Sequence, residues 1–240
     1  MPTITEEVRR APRRDAAANR EALLAAASAT LNEHPDAGLE AIASAAGLSR
    51  RAVYGHFAGR DELIAALIAS GATRLNDIAA TLDHPHTPTA IALLGARLWH
   101  AVEHVQLLAA MAVREPHVDQ VAAALAPVRE RVGELVTRGI DEGALRGDMN
   151  PQTLARLIER AAIAVLLEAS VARLDDAEGH RLVMLSVLGT AGLGWREAGA
   201  LIDAAPELAY CPAPAGVGTT AGAPTAAAPA DAETGEEARA

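Results

Sequence analysis

No stretch of this chain alternates apolar and polar residues for long enough to form a strand. Apolar residues recur three and four apart instead. Leu23, Leu24, Ala27 and Leu31 fall on one helical face, as do Val121, Ala124, Leu125, Val128, Val132, Leu135, Val136 and Ile140. Spacing of this kind is the signature of amphipathic helices. Half the residues are hydrophobic and only 2% are aromatic. Ala and Leu dominate and favour helix, and β-branched residues are scattered. The expectation is an all-α chain.

Breakers divide the helical stretches. The spacing predicts helices over Asn19–Asn32, Leu39–Ala46, Arg50–Phe57 and Arg60–Leu82. A loop through His84, Pro85, His86 and Pro88 follows, then a helix over Thr89–Ala112 with a bend near Val105. After the Glu115-Pro116 turn come a long helix over Val118–Gly143 and two more over Gln152–Leu174 and Ala177–Leu201. From Ala204 onward the chain is Ala, Pro, Gly, Thr and Glu, a composition that buries no core. Residues 1–15 are polar and hold Arg9, Arg10, Arg13 and Arg14, an arm suited either to solvent or to phosphates.

Charge is unevenly distributed. The net charge is −10, so the chain cannot coat nucleic acid along its length. Residues 1–60 hold 8 Arg against 7 acids, whereas residues 61–240 hold 13 against 24, and there is no Lys. A near-neutral head with clustered arginines on an acidic body suits local contact with DNA. The single cysteine, Cys211, allows no internal disulfide and fits a reducing cytoplasm. The N-terminal arginines are followed by no apolar segment of signal-peptide kind. The charge-free stretch Val183–Trp195 is shorter than the ~20 residues a bilayer span needs. No membrane partner and no cofactor is expected.

The informative segment runs from Asn19 to Leu67. Gly47 follows a short helix at the position where helices end in a left-handed residue, and Ser49 can cap the next one. Two short helices joined in this way make a helix-turn-helix, whose second helix can enter the major groove. The segment resembles the DNA-binding domain of the TetR family of transcriptional repressors. The matching pieces are Arg20, Leu23-Leu24, Ala26-Ala27, Ile42-Ala43, Ala46-Gly47-Leu48-Ser49, Val53-Tyr54, His56-Phe57 and Asp61-Glu62-Leu63. The remainder resembles the family in length and helicity alone.

Roles follow from chemistry and from that resemblance. Arg50 and Arg51 sit on the first turn of the recognition helix, where arginine can pair bidentately with guanine, and Ala52 is small enough to meet a thymine methyl. Ser49 can cap and also meet a phosphate. The resemblance implies backbone contacts from Tyr54, His56 and Arg60. Leu48, Val53 and Phe57 are expected to form the motif's own core. Gly38 stands where the family has a capping Ser or Thr, so that cap is expected to be missing, and Arg60 stands in place of the usual Lys.

A second pattern competes with this reading. His100-Ala-Val-Glu103-His104 spells H-x-x-E-H, with both histidines on one helical face, the arrangement of a metal-dependent hydrolase. A third ligand would have to come from one of the generic acids Glu130, Glu134, Glu159 or Glu168. Ordinary packing, or a binding pocket lined by Trp99, His100, His104, Gln106 and Met111, fits the surroundings better. The last two helices carry apolar stripes: Leu154, Leu157, Ile158, Ala161, Ala162, Val165 and Ala169, then Leu182, Leu185, Gly189, Gly192 and Leu193. These suit core or a homodimer interface, and the resemblance implies a four-helix bundle between two copies.

The expected organisation is a flexible basic arm (1–15), a three-helix helix-turn-helix domain (16–70, the motif itself at about 38–57), a helical ligand-binding and dimerisation domain (71–203) and a disordered Ala/Pro-rich tail (204–240). The expected function is a cytoplasmic, homodimeric, non-enzymatic regulator of double-stranded operator DNA. In this reading a small, largely apolar effector releases a repressor. The alternatives are the hydrolase and a ligand-independent DNA-binding regulator.

Overall fold

The computed structural model describes residues 4–113 and 115–212, with side chains from Ala16 onward apart from those of His104, Leu107 and Leu108. Among the described residues there are helices and no strands. The N-terminal head consists of α1 (Ile4–Glu33), α2 (Leu39–Ala45), α3 (Arg50–His56) and the start of α4 (Arg60–Thr81). The body adds α5 (Thr87–Val102), α6 (Gln106–Ala112), α7 (Val118–Ala124), α8 (Ala126–Asp141), α9 (Pro151–Ala172), α10 (Asp176–Ala191) and α11 (Trp195–Ala204).

The head has its own core. Leu23, Ala27 and Leu31 of α1 meet Ile42 of α2, Val53 of α3, Phe57 and Leu63 of α4, all 2% exposed or less. Burial at this level stabilises by about 1.5–3 kcal/mol for each large side chain. Arg20 lies over the Phe57 ring, 5.4 Å from its centroid. The body's larger core joins α5, α8, α9 and α10, with Leu94, Leu135, Leu154, Met184 and Leu188 among its buried members. α5 and α10 approach closely at Gly179, where an added Cβ would fall 1.9 Å from the Trp99 ring.

Several boundaries differ from the sequence reading, each for a local reason. α1 begins at Ile4, so the expected arm is the first part of a helix, although the side chains of residues 1–15 lie outside the described ones. The expected helix over Val118–Gly143 is two, because Pro127 cannot donate within a continuous helix and sits in the first turn of α8. The helix over Thr89–Ala112 breaks at a 3-10 turn, Glu103–Val105, where a bend was expected. The helix over Ala177–Leu201 is also two. Gly192 has φ +113, a left-handed conformation that closes α10, with Leu193 N–H donating to the Leu188 carbonyl at 3.1 Å. Gly192 therefore ends a helix and does not extend an interface stripe. Finally, the tail does not begin at Ala204. Pro206–Leu208 forms a 3-10 turn, Leu208 is 1% exposed within the body core, and Tyr210 meets His180 edge-on at 5.3 Å. Residues 213–240 of the expected tail lie outside the described residues.

α4 is long and apolar enough, by length and composition, to cross a membrane. Its apolar side is used otherwise: Leu63 and Ile64 pack into the head core, and Ala72 and Ala79 are buried beyond them. α4 thus joins the head to the body as one continuous rod.

Candidate functional site

The helix-turn-helix is built by two devices legible in the chain. α2 ends in a Schellman turn: Gly47, at φ +66, donates to the Ser44 carbonyl at 3.0 Å, and Leu48 N–H donates to the Ala43 carbonyl at 2.9 Å. Ser49 then caps α3, its Oγ accepting the Ala52 N–H at 3.2 Å. α2 starts at Gly38 with no side-chain cap, as its residue type requires. Ala58 N–H is met by Glu62 at 2.6 Å, which secures the start of α4.

α3 presents a polar outer row. Ser49, Arg50, Arg51 and Tyr54 are exposed, Tyr54 at 46%, while Ala52 and His56 are half-buried and Val53 packs inward. Arg50 is engaged on the surface: Nη1 pairs with Glu40 at 2.8 Å, and its guanidinium lies 5.5 Å from the Tyr54 ring centroid. Arg51 has no ion pair among the described residues and is the freer arginine for a base or phosphate. Arg60 departs from its implied role. Its Nε donates to the Ala37 carbonyl at 3.2 Å and Nη2 to the Pro35 carbonyl, so its guanidinium clamps the α1–α2 loop to α4. The fork geometry of arginine makes this double contact possible where a lysine would make one.

The second site is a cavity of about 1130 Å³ walled by α1 and by α4 through α10. Of the residues that the sequence suggested for a pocket, Trp99 and Met111 line it. His100 and Gln106 do not. His100 Nδ1 contacts Glu103 at 3.0 Å, and Gln106 donates to Asp176 Oδ1 at 3.2 Å. The His104 side chain lies outside the described residues. Burial pushes the Glu103 carboxyl above its usual range, against the opposing pull of His100, and burial also holds His180 below the ordinary histidine value. These groups form a packing cluster behind α5, and no group of three or more metal-ligating side chains occurs among the described residues. His84 and His86 likewise have structural partners: His84 pairs with Glu207 at 3.2 Å, and His86 Nδ1 caps α5 at Thr89.

The sequence reading missed the cavity's polar members. Arg129 and Glu159, from α8 and α9, form a bidentate pair with contacts of 2.7 and 2.8 Å, and Arg129 Nη1 also reaches the Ala122 carbonyl. This pairing raises the Arg129 pKa further above its already high value. Their position opposite each other in space left no signal in sequence order. The cavity also touches Leu31 and Ile64, members of the head core, and passes along Leu67, Ile68 and Gly71 of α4.

Comparison with known proteins agrees with this architecture. Residues 23–67 match the family model described as bacterial regulatory proteins, tetR family. No curated protein matches the chain. Among solved structures, SmeT of Stenotrophomonas maltophilia, the repressor of a multidrug efflux pump, is 23% identical over 71% of this chain and 88% of its own, with a TM-score of 0.58. FadR of Bacillus subtilis, solved with stearoyl-CoA, is 14% identical over 72% and 97%, with a TM-score of 0.61. LfrR of Mycobacterium smegmatis, a TetR-like regulator solved with proflavine, is 23% identical over 76% and 98%, with a TM-score of 0.57. Residues 23–67 thus carry the DNA-binding domain of the tetR family of bacterial regulatory proteins, and the helical body behind it shares its fold with solved regulators of that type over about three quarters of the chain.

Proposed function

We propose that this chain is a cytoplasmic, homodimeric repressor that binds operator DNA through α3 and leaves it when a small, largely apolar ligand fills the body cavity. The observation that carries the reading is the path of α4. It starts after only Ala58 and Gly59 beyond the Phe57 that ends the helix-turn-helix and then forms part of the cavity wall. A ligand that favours a shifted α4 would move the recognition helix out of groove register. Releasing DNA about 100-fold needs a preference of about 2.7 kcal/mol between the two forms, and operator DNA must weaken ligand binding by the same factor. A ligand-independent regulator would have no use for a cavity of this size, and the relatives solved with bound stearoyl-CoA and proflavine support a sensing body. No enzymatic activity is assigned: His100 Nδ1 meets only Glu103 Oε1, at 3.0 Å, and no group of three or more metal-ligating side chains gathers around them among the described residues.

Dimerisation is supported by the outward side of α9 and α10. Leu157 and Val171 are exposed at 39% and 72%, and Ala161, Leu182 and Leu185 are half-exposed beside them. This row differs from the full stripes read from sequence, because Leu154, Ile158, Val165 and Ala169 are spent on the protomer's own core. Two copies related by a two-fold axis would place recognition helices in successive major grooves, about 34–36 Å apart.

Selection of bound sequences from a random DNA library tests the proposal. The unaltered chain should enrich a partially palindromic site. Arg51→Ala should cost about 1–3 kcal/mol and relax preference at one position of each half-site. Arg50→Ala should cost less, since Arg50 is already held by Glu40. Sequence-specific binding at full strength by the double variant would refute the assignment of α3.

A further inference from the structure

The cavity carries charge in its walls, yet in balanced form. Its lining includes Glu21, Glu130 and Glu159 against Arg74, Arg129 and Arg156, with His117 as a further titratable member. Of the six acids and arginines, four are exposed at its outer edge, and only Arg129 and Glu159 are half-buried. Those two neutralise each other: both Glu159 oxygens accept from Arg129 Nε, at 2.7 and 2.8 Å, and Nη2 adds a third contact at 2.7 Å. An anionic head group entering beside them would find a cation already matched, and a cationic one would find a matched carboxylate. Burying either without a partner is costly.

Aromatic recognition is equally restricted. Trp99 is the only Phe, Tyr or Trp in the lining. Its indole N–H is already donated to the Asp176 carbonyl at 3.0 Å, and its ring is seated against Gly179 with no room for a Cβ between them. A planar ligand cannot be sandwiched between rings here. The rest of the wall is mostly Leu, Ile, Val and Ala, with Met111 and the uncharged or weakly basic Ser28, Ser70, His117 and Gln152 among them, around a volume at the upper end of, or beyond, the ~300–1,000 Å³ usual for small-molecule sites.

We propose that the cavity selects an uncharged, aliphatic molecule of long-chain or terpenoid bulk, and that the Arg129–Glu159 pair enforces this neutrality. The inference rests on the sensing role given to the cavity above and adds the chemical class of its ligand.

Isothermal titration calorimetry on the full chain tests it with four probes: 1-dodecanol, dodecanoate, dodecylammonium and proflavine. Dodecanol should bind at least tenfold more tightly than each of the others. Glu159→Gln frees Arg129 and should raise dodecanoate affinity at least tenfold while leaving dodecanol within about threefold. Arg129→Gln should favour dodecylammonium in the same way. Gly71 lines the cavity at a position where a Cβ meets nothing within 4 Å, so Gly71→Leu should fold and weaken dodecanol binding measurably. Dodecanoate or dodecylammonium binding the unaltered chain as tightly as dodecanol would overturn the neutrality. Equally tight proflavine would overturn the aliphatic assignment. If such binding is weakened in Gly71→Leu, the sensing role stands and only the ligand class fails. No heat from any probe, with operator binding intact, overturns the ligand class and the sensing role together.

Discussion

The head and the body solve opposite problems. The head is a small core wrapped by short helices, and the groups proposed to meet DNA stand on the outside: Arg51 and Tyr54 are exposed on α3 while Val53 and Phe57 hold that helix from beneath. The body is a larger core that leaves its working space inside, between helices drawn from α1 to α10. The contrast shows how a surface site can be written locally. One turn and one cap suffice to aim α3. A cavity needs many elements to agree on where not to pack.

The largest expected effect breaks the head alone. Phe57→Ala removes the chain's only phenylalanine, 2% exposed, from the head core and should cost about 3–5 kcal/mol of head stability. If the two regions unfold separately, calorimetry should show an early head transition and an almost unmoved body transition. DNA binding should be lost, and ligand binding weakened because α1 of the head forms part of the cavity wall. A single transition shifted as a whole would show that α4 makes head and body one cooperative unit.

A smaller effect separates core from interface within the body. Leu157→Glu places a charge on the outward face of α9, where an unpartnered polar group in an interface costs about 1–3 kcal/mol. Light scattering should report folded monomers with native helicity. Val165→Glu, by contrast, buries its charge inside the protomer and should unfold the body. A stable dimer of the Leu157→Glu chain would move the interface elsewhere.

The smallest effect concerns Glu103. Burial raises its folded pKa above the unfolded value of 4.5, so its charged form is disfavoured in the native protein. Below that value both states hold the proton and the penalty vanishes. As pH rises through the folded pKa, the unfolded state has lost its proton first and stability falls. Glu103→Gln should therefore stabilise the body slightly at neutral pH, with the advantage shrinking as pH falls towards 4.5. Chemical denaturation across that window checks the sign. An advantage that grows on acidification would mean that the His100 contact outweighs burial.

What could be read without coordinates was the part governed by near neighbours. Helical spacing, Gly47, Ser49 and the uncapped Gly38 each act within a turn of chain, so α2, α3 and the polar face of α3 were legible. Pro127 and Gly192 act just as locally, but their signals lay within longer apolar runs that read as continuous helices. Tertiary structure decided the rest. Arg60 turned from an outward contact into a clamp because the Pro35 and Ala37 carbonyls, more than twenty residues away, come within reach of its guanidinium. His100 and Gln106 left the cavity because Glu103 and Asp176 offered closer partners. The pairing of Arg129 with Glu159 joins two helices across thirty residues. A cavity is the space that several helices jointly fail to fill, and no single stretch of sequence records that outcome.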